Sequence, residues 1–183
     1  MQSYVQGNAK AFDGLFARLA PGVHGFFLRS FGNKSVADDL LQLTFLKFHR
    51  ARADYNPDLP VKPWLFSIAS RVRLDELRRR YRVADTASEE ELVRLADERE
   101  STASNAEQDL ARNDIQKAVL SALERLPESQ RIVIQLHRFE GMKFAEIAEV
   151  LGTTPTAVKL RAFRGYEQLR RELRPLIEEG RCS

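Results

Sequence analysis

The sequence predicts an all-α protein of two small helical domains joined by an acidic flexible linker. Three observations carry this expectation. Apolar residues recur at helical spacing nearly throughout, with no clear alternating strand of useful length. The 183 residues suffice for one ordinary domain or two small ones. Charge is segregated: residues 1–82 hold 14 Lys/Arg against 7 Asp/Glu, residues 83–111 hold 2 against 9, and residues 112–183 hold 13 against 10. A formal net charge of +3 therefore conceals blocks of +7, −7 and +3. Two basic blocks on either side of an acidic strap suggest two anion-facing modules on a linker.

In the first block, helices are expected over 8–19, 21–31, 35–51 and 62–82. Pro21, Gly32 with Asn33, and the stretch from Asp54 to Pro63 punctuate them. Ser35 is a suitable N-cap for the third helix, with Asp38 three residues later as a capping-box analogue. That helix buries Val36 and Leu40, while Asp38, Asp39 and Gln42 form a polar, acidic patch that suits protein better than DNA. A plain helix N-terminus, favouring Asp through its dipole, accounts equally well for the two acids. The fourth helix has one apolar side (Leu65, Ile68, Ala69, Val72) and a second (Phe66, Leu74, Leu77, Tyr81). Between them runs a stripe of Trp64, Ser67, Arg71, Asp75, Arg78 and Arg82. A tryptophan in line with arginines suits nucleic acid, the ring stacking on a base and the cations following phosphates. The alternative is a core tryptophan with solvated arginines.

Residues 83–111 are acidic and poor in aromatics, with a short helix near 88–98 and no stable core. Fully extended, they reach roughly 95 Å. In the last block, helices are expected over 112–126, 128–139, 143–151 and 155–174, with Pro127 and Gly141 as separators. Phe144, Ile147, Ala148 and Leu151 form one apolar face, and Gly152 stands where a left-handed terminator belongs. Thr154 can cap the next helix, with Pro155 at its first position. On that helix Val158, Ala162, Gly165 and Leu169 form a seam for burial. The opposite face carries Lys159, Leu160, Phe163, Arg164, Glu167, Arg170 and Arg171. The pattern is that of a helix-turn-helix: arginine forks can read guanine edges, apolar side chains can meet thymine methyls, and lysine can hold phosphate. The competing reading is an ordinary solvated face with Phe163 packed on a neighbouring helix.

Composition excludes other classes. Cys182 is the sole cysteine, which rules out a disulfide framework within one chain and favours a reducing compartment. The three histidines, His24, His49 and His137, are scattered, so no metal site is expected. No apolar run approaches a membrane span and the N-terminus lacks a signal-peptide pattern, so a cytoplasmic protein without membrane insertion is expected. GxGxxG, GxxxxGK[ST] and GxSxG are absent, and no cofactor is expected. Asp38 and Asp39 are adjacent and point about 100° apart on a helix, a poor arrangement for paired acid–base catalysis.

Taken together, three segments resemble the extracytoplasmic-function (ECF) group of bacterial RNA polymerase sigma factors, whose members keep only the second and fourth regions of the sigma-70 family. ADDLLQLTFLKF resembles the core-polymerase-binding helix of region two, and PWLFSIASRVRLDELRRR its promoter-melting, minus-ten-reading helix. LERLPESQRIVIQLHRFEGMKFAEIAEVLGTTPTAVKLRAFRGYEQLR resembles region four, which reads the minus-thirty-five element. The resemblance implies region two over 1–82, a linker over 83–111 and region four over 112–183. It implies no enzymatic activity of the chain's own. The implied partners are core RNA polymerase (through its β′ clamp helices and β flap), promoter DNA and an anti-sigma factor.

Carried over residue by residue, Asp39 and Gln42 match positions that grip the β′ clamp helices. Leu43 stands where an acid is common, so an apolar contact is expected there. Trp64 matches the aromatic of the melting helix. Arg71 stands where many relatives have asparagine, and Ser70 where many have arginine. Arg78 continues the cationic stripe. The loop from Arg52 to Lys62 matches the segment that captures a flipped minus-ten base. Lys159, Arg161, Phe163 and Arg164 match DNA-contacting positions of the recognition helix, and Leu160 replaces a frequent serine. In relatives the linker threads through the polymerase toward the RNA exit path, and its acidity here fits that role. The rival expectation is a stand-alone helix-turn-helix regulator of duplex DNA, which leaves the Asp39/Gln42 helix unexplained.

Overall fold

The computed structural model describes residues 1–5, 8–86 and 110–179. Among these the regular structure is helical. Contacts divide the chain into two units, Met1–Ala103 and Ser104–Ser183, so the division falls inside the segment read as linker.

In the first unit, α1 (Gln2–Val5), α2 (Ala9–Phe31), α3 (Lys34–Arg50) and α4 (Val61–Thr86) pack together, with a 3₁₀ turn over Ala51–Asp54. The two helices expected over 8–19 and 21–31 are one helix, with Pro21 inside it. An interior proline costs about 3 kcal/mol. Leu19, Ala20, Val23, Phe26 and Phe27 are buried on both sides of the exposed Pro21, and each large side chain gains about 1.5–3 kcal/mol from burial. The buried face outweighs the lost hydrogen bond.

Gly32 breaks the chain here as expected, and it ends α2 in the left-handed region at φ 66°. The cap of α3 differs from expectation. Asn33, not Ser35, closes the helix end by accepting from the Val36 N–H at 3.0 Å. Asp38 is not part of a capping box; its carboxylate pairs with His24 Nε2 on α2 at 3.1 Å.

The core of this unit is aromatic. Phe26, Phe27, Phe48 and Phe66 are fully buried, and Tyr4 of α1 stacks on Phe48 with ring centroids 5.9 Å apart. The Tyr4 hydroxyl also meets His49 Nδ1 at 2.6 Å. Burial raises the Tyr4 phenol pKa, partly offset by the Arg52 charge. Tyr4, between Ser3 and Val5, carries no helical apolar pattern that marks this closure in the sequence.

Helix α4 continues four residues beyond the expected 82, so the first part of the 83–111 segment is helical. The helix expected near 88–98 lies outside the described residues.

In the second unit, α5 (Leu110–Glu124), α6 (Glu128–Ile134), α7 (Phe144–Leu151) and α8 (Pro155–Glu179) surround a small core. Helix α6 runs into a π turn over Gln135–Phe139. Leu123, Leu126 and Ile134 form one buried cluster, covered by Val119, Tyr166 and Leu169, and Leu136, Ile147 and Val158 are also buried. Helix α8 passes Pro175 and ends at Glu179, beyond the expected residue 174.

Candidate nucleic-acid and polymerase interfaces

The α7–α8 pair is built by its turn. Gly152 adopts φ 60°, and the Thr153 N–H returns to the Ala148 carbonyl at 2.9 Å. Thr154 Oγ1 accepts from the Ala157 N–H at 3.2 Å, and Pro155 opens α8. At the other end of α7, the Glu146 carboxylate accepts from the Lys143 N–H at 2.7 Å.

Small residues hold α8 close to its support. Val158, Ala162 and Gly165 are buried, and a Cβ on Gly165 would stand 2.6 Å from Ile134 Cδ1. Along the last turns, Gln168 Nε2 donates to Glu172 Oε1 at 2.9 Å and to the Arg125 carbonyl at 3.4 Å. The outward face is left free of core duties. Lys159 and Arg164 are exposed, Arg161 is half-buried, and Leu160 and Phe163 keep 47% and 65% of their surface exposed. Phe163 therefore does not pack into the core of its unit.

Helix α3 presents a second outward stripe of different character. Asp39, Gln42, Leu43 and Leu46 follow helical spacing and are all exposed. Asp38 pairs with His24 yet keeps 48% of its side chain exposed, so the acidic patch expected from the sequence holds Asp38 and Asp39 beside amide and leucine side chains.

Helix α4 turns much of its chemistry inward. Leu65, Ile68, Ala69 and Val72 are buried as expected, but the second apolar side is divided. Phe66 is buried, whereas Leu74 and Tyr81 are 43% and 69% exposed. Trp64 is half-buried between Phe48 and Tyr55, each with its ring centroid 4.9 Å away. The loop before it is shaped by Tyr55, whose hydroxyl donates to the Leu59 carbonyl, and by the Asp58 N–H, which donates to Asn56 Oδ1 at 3.0 Å. Ser67 Oγ donates to the Trp64 carbonyl at 2.7 Å, and Ser70 is buried.

The arginines of α4 separate into two sets. Arg73 is only 2% exposed; its Nε donates to Ser30 Oγ at 2.7 Å and its guanidinium lies 5.7 Å from the Phe26 ring centroid. Arg80, largely covered, and Arg79, exposed over 62% of its side chain, both engage Glu76, with Nε–carboxylate distances of 2.8 and 2.7 Å. Burial alone would raise the Glu76 carboxyl, but the hydrogen bonds and charges of these arginines prevail and hold it below the ordinary carboxylate range. Arg71, Arg78 and Arg82 also lie at the exposed surface, with Asp75, which lies 3.9 Å from Lys47 Nζ. The inward role of Arg73 was missed in the sequence, because a helical wheel does not show which neighbour receives a cation.

Among the described residues no helix is long and apolar enough to cross a membrane.

Comparison with known proteins gives these surfaces a context. The family model "Sigma-70 region 2" matches residues 15–83, and "Sigma-70, region 4" matches residues 116–169. The chain is 38% identical over 170 residues to RNA polymerase sigma factor CarQ of Myxococcus xanthus, covering 93% of each chain. It is 31% identical to the ECF RNA polymerase sigma factor SigM of Mycobacterium tuberculosis, covering 94% of this chain and 82% of the relative. Among solved structures, CnrH in complex with the cytosolic domain of CnrY matches with a TM-score of 0.68 at 28% identity, over 95% of this chain and 94% of that one.

Proposed function

This chain belongs to the sigma-70 family of RNA polymerase sigma factors, in its ECF group, and on that premise we propose how its surfaces divide the work of transcription initiation. The chain is a dissociable initiation subunit rather than an enzyme, and it works in the cytoplasm. Residues 1–82 serve as region two, 83–111 as an acidic linker lying in the polymerase, and 112–183 as region four.

Asp39, Gln42 and Leu43 contact the β′ clamp helices of core polymerase, with Leu43 supplying an apolar contact. Trp64, Arg71 and Arg78 hold the melted minus-ten region, together with the loop before α4. Unstacking a base costs a few kcal/mol, which a pocket and aromatic stacking can offset. Because Trp64 is packed between two rings, its contribution is to fix the loop and offer a ring edge. Lys159, Leu160, Arg161, Phe163 and Arg164 enter the major groove of the upstream element, and region four also meets the β flap. An anti-sigma protein that covers these faces is a further partner; the CnrH–CnrY complex supports that assignment.

One observation carries the reading: the outward stripes of α3 and α8 are both unused by their own cores yet differ in chemistry. One is acidic, amide and leucine; the other is cationic with two apolar side chains. Purified protein mixed with core polymerase and a promoter library, followed by sequencing of transcripts, tests it. Gln42→Ala is expected to weaken core binding about tenfold and leave duplex binding unchanged; Arg164→Ala is expected to do the reverse. Failure to bind core, with tight binding to a palindromic duplex alone, would instead establish the stand-alone regulator.

A further inference from the structure

We propose that Leu160 is a specificity-determining residue that reads a thymine methyl group in the upstream element, with Phe163 reading a second methyl nearby. This rests on the assignment of α8 to the major groove and states which base chemistry its apolar side chains recognise.

Leu160 and Phe163 lie three residues apart and so share the outward face, one turn from each other. They are 47% and 65% exposed, while Val158 at 0% and Ala162 at 2% supply burial on the opposite side of the helix. The surrounding face is cationic, with Lys159 and Arg164 exposed, which complements phosphate and brings the face against DNA. In the major groove, the thymine C5-methyl is the apolar group among the base-edge features that distinguish the four pairs. Leucine has no hydrogen-bonding group, so it cannot choose among donors and acceptors; its preference is for a pair that presents a methyl. Three residues of helix rise about 4.5 Å, against about 3.4 Å per base pair. The two methyls are therefore expected one or two base-pair steps apart, on either strand.

The test uses the full chain with core polymerase. Upstream elements are first selected from a random duplex library, and each thymine of the selected element is then replaced by deoxyuridine. That exchange removes the methyl and preserves base pairing. Binding is expected to fall about fourfold at each of two positions one or two steps apart, the equivalent of one buried methyl. Leu160→Ser is expected to abolish the sensitivity at one position, and Phe163→Ala at the other. Uniform tolerance of uracil, or unchanged sensitivity in both variants, would overturn this inference and leave the groove assignment standing. If selection yields no upstream element at all, the groove assignment fails and the inference with it.

Discussion

Helices α4 and α8 look alike in sequence, each a long arginine-rich segment, but they handle their charge in opposite ways. In α4 a fully buried guanidinium (Arg73) reaches Ser30 and Phe26, and two more arginines converge on the nearly buried Glu76. Arg80 also lies over the Phe31 ring, 4.8 Å from its centroid. In α8 the seam is small and apolar, and cations stand outward together with Leu160 and Phe163. The net charge of a helix therefore measures its DNA-facing capacity only after the inward cations are set aside. Part of the +7 of the first block holds that block together.

The sharpest break of this comparison is Arg73→Ala. It removes a buried cation and leaves Ser30 and Phe26 facing a void, for a cost of about 3 kcal/mol. Trp64 is the only tryptophan and lies in the first unit, so its fluorescence reports denaturant unfolding of that unit selectively. An unchanged Trp64 transition would show that α4 carries Arg73 without depending on it. The same substitution at Arg164 is expected to leave stability within about 0.5 kcal/mol, because that side chain is exposed.

Helix α8 breaks by the opposite route, through added volume. Gly165→Val places a branched side chain where even a Cβ meets Ile134 Cδ1 at 2.6 Å and Gln130 Cβ at 3.4 Å. Overpacking of this kind costs about 2 kcal/mol, somewhat reduced by the better helix propensity of valine over glycine. Thermal far-UV circular dichroism is expected to show an earlier transition while the Trp64 signal is unmoved. Equal stability would mean that Ile134 rotates aside without loss.

The contrast also shows what was legible in the sequence. The α8 seam could be read because its residues are apolar or small at helical spacing, and the Gly152–Thr154–Pro155 turn because each residue answers a local backbone need. The family and the two-domain plan followed from motifs of that local kind. Arg73 could not be placed, because its partners Ser30 and Phe26 become neighbours only once α2 and α4 are packed; Glu76 meets Arg79 and Arg80 locally, three and four residues on, but its burial depends on that same packing. Pro21 was read as a break for a similar reason: its local cost was visible, and the burial on either side of it was not. Ser35 lost the cap to Asn33 because left-handed Gly32 ends α2 immediately before Asn33, which takes the extended conformation a cap requires. Tyr81 follows the apolar wheel of α4, but the wheel does not tell that the packing partners of α4 do not cover it.

The smallest expected effect concerns how the inward charge of α4 responds to acid. The Glu76 carboxyl is held below its ordinary value in the folded chain. A group whose folded pKa is depressed contributes stability that is present above the unfolded value, near 4.3, and that is lost as pH falls through the folded one. The wild-type first unit, followed by Trp64 fluorescence, is therefore expected to lose stability below about pH 4 through this group. Other carboxylates titrate over the same range, so the comparison with Glu76→Gln isolates the effect. The glutamine variant is less stable near neutrality, because it offers Arg79 and Arg80 no charge, and the two proteins converge as acid protonates Glu76. A constant difference across the whole range would show that Glu76 acts by packing and shape alone. In that case the inward arginines of α4 would be held by their contacts with Phe26, Phe31 and Ser30 rather than by a carboxylate.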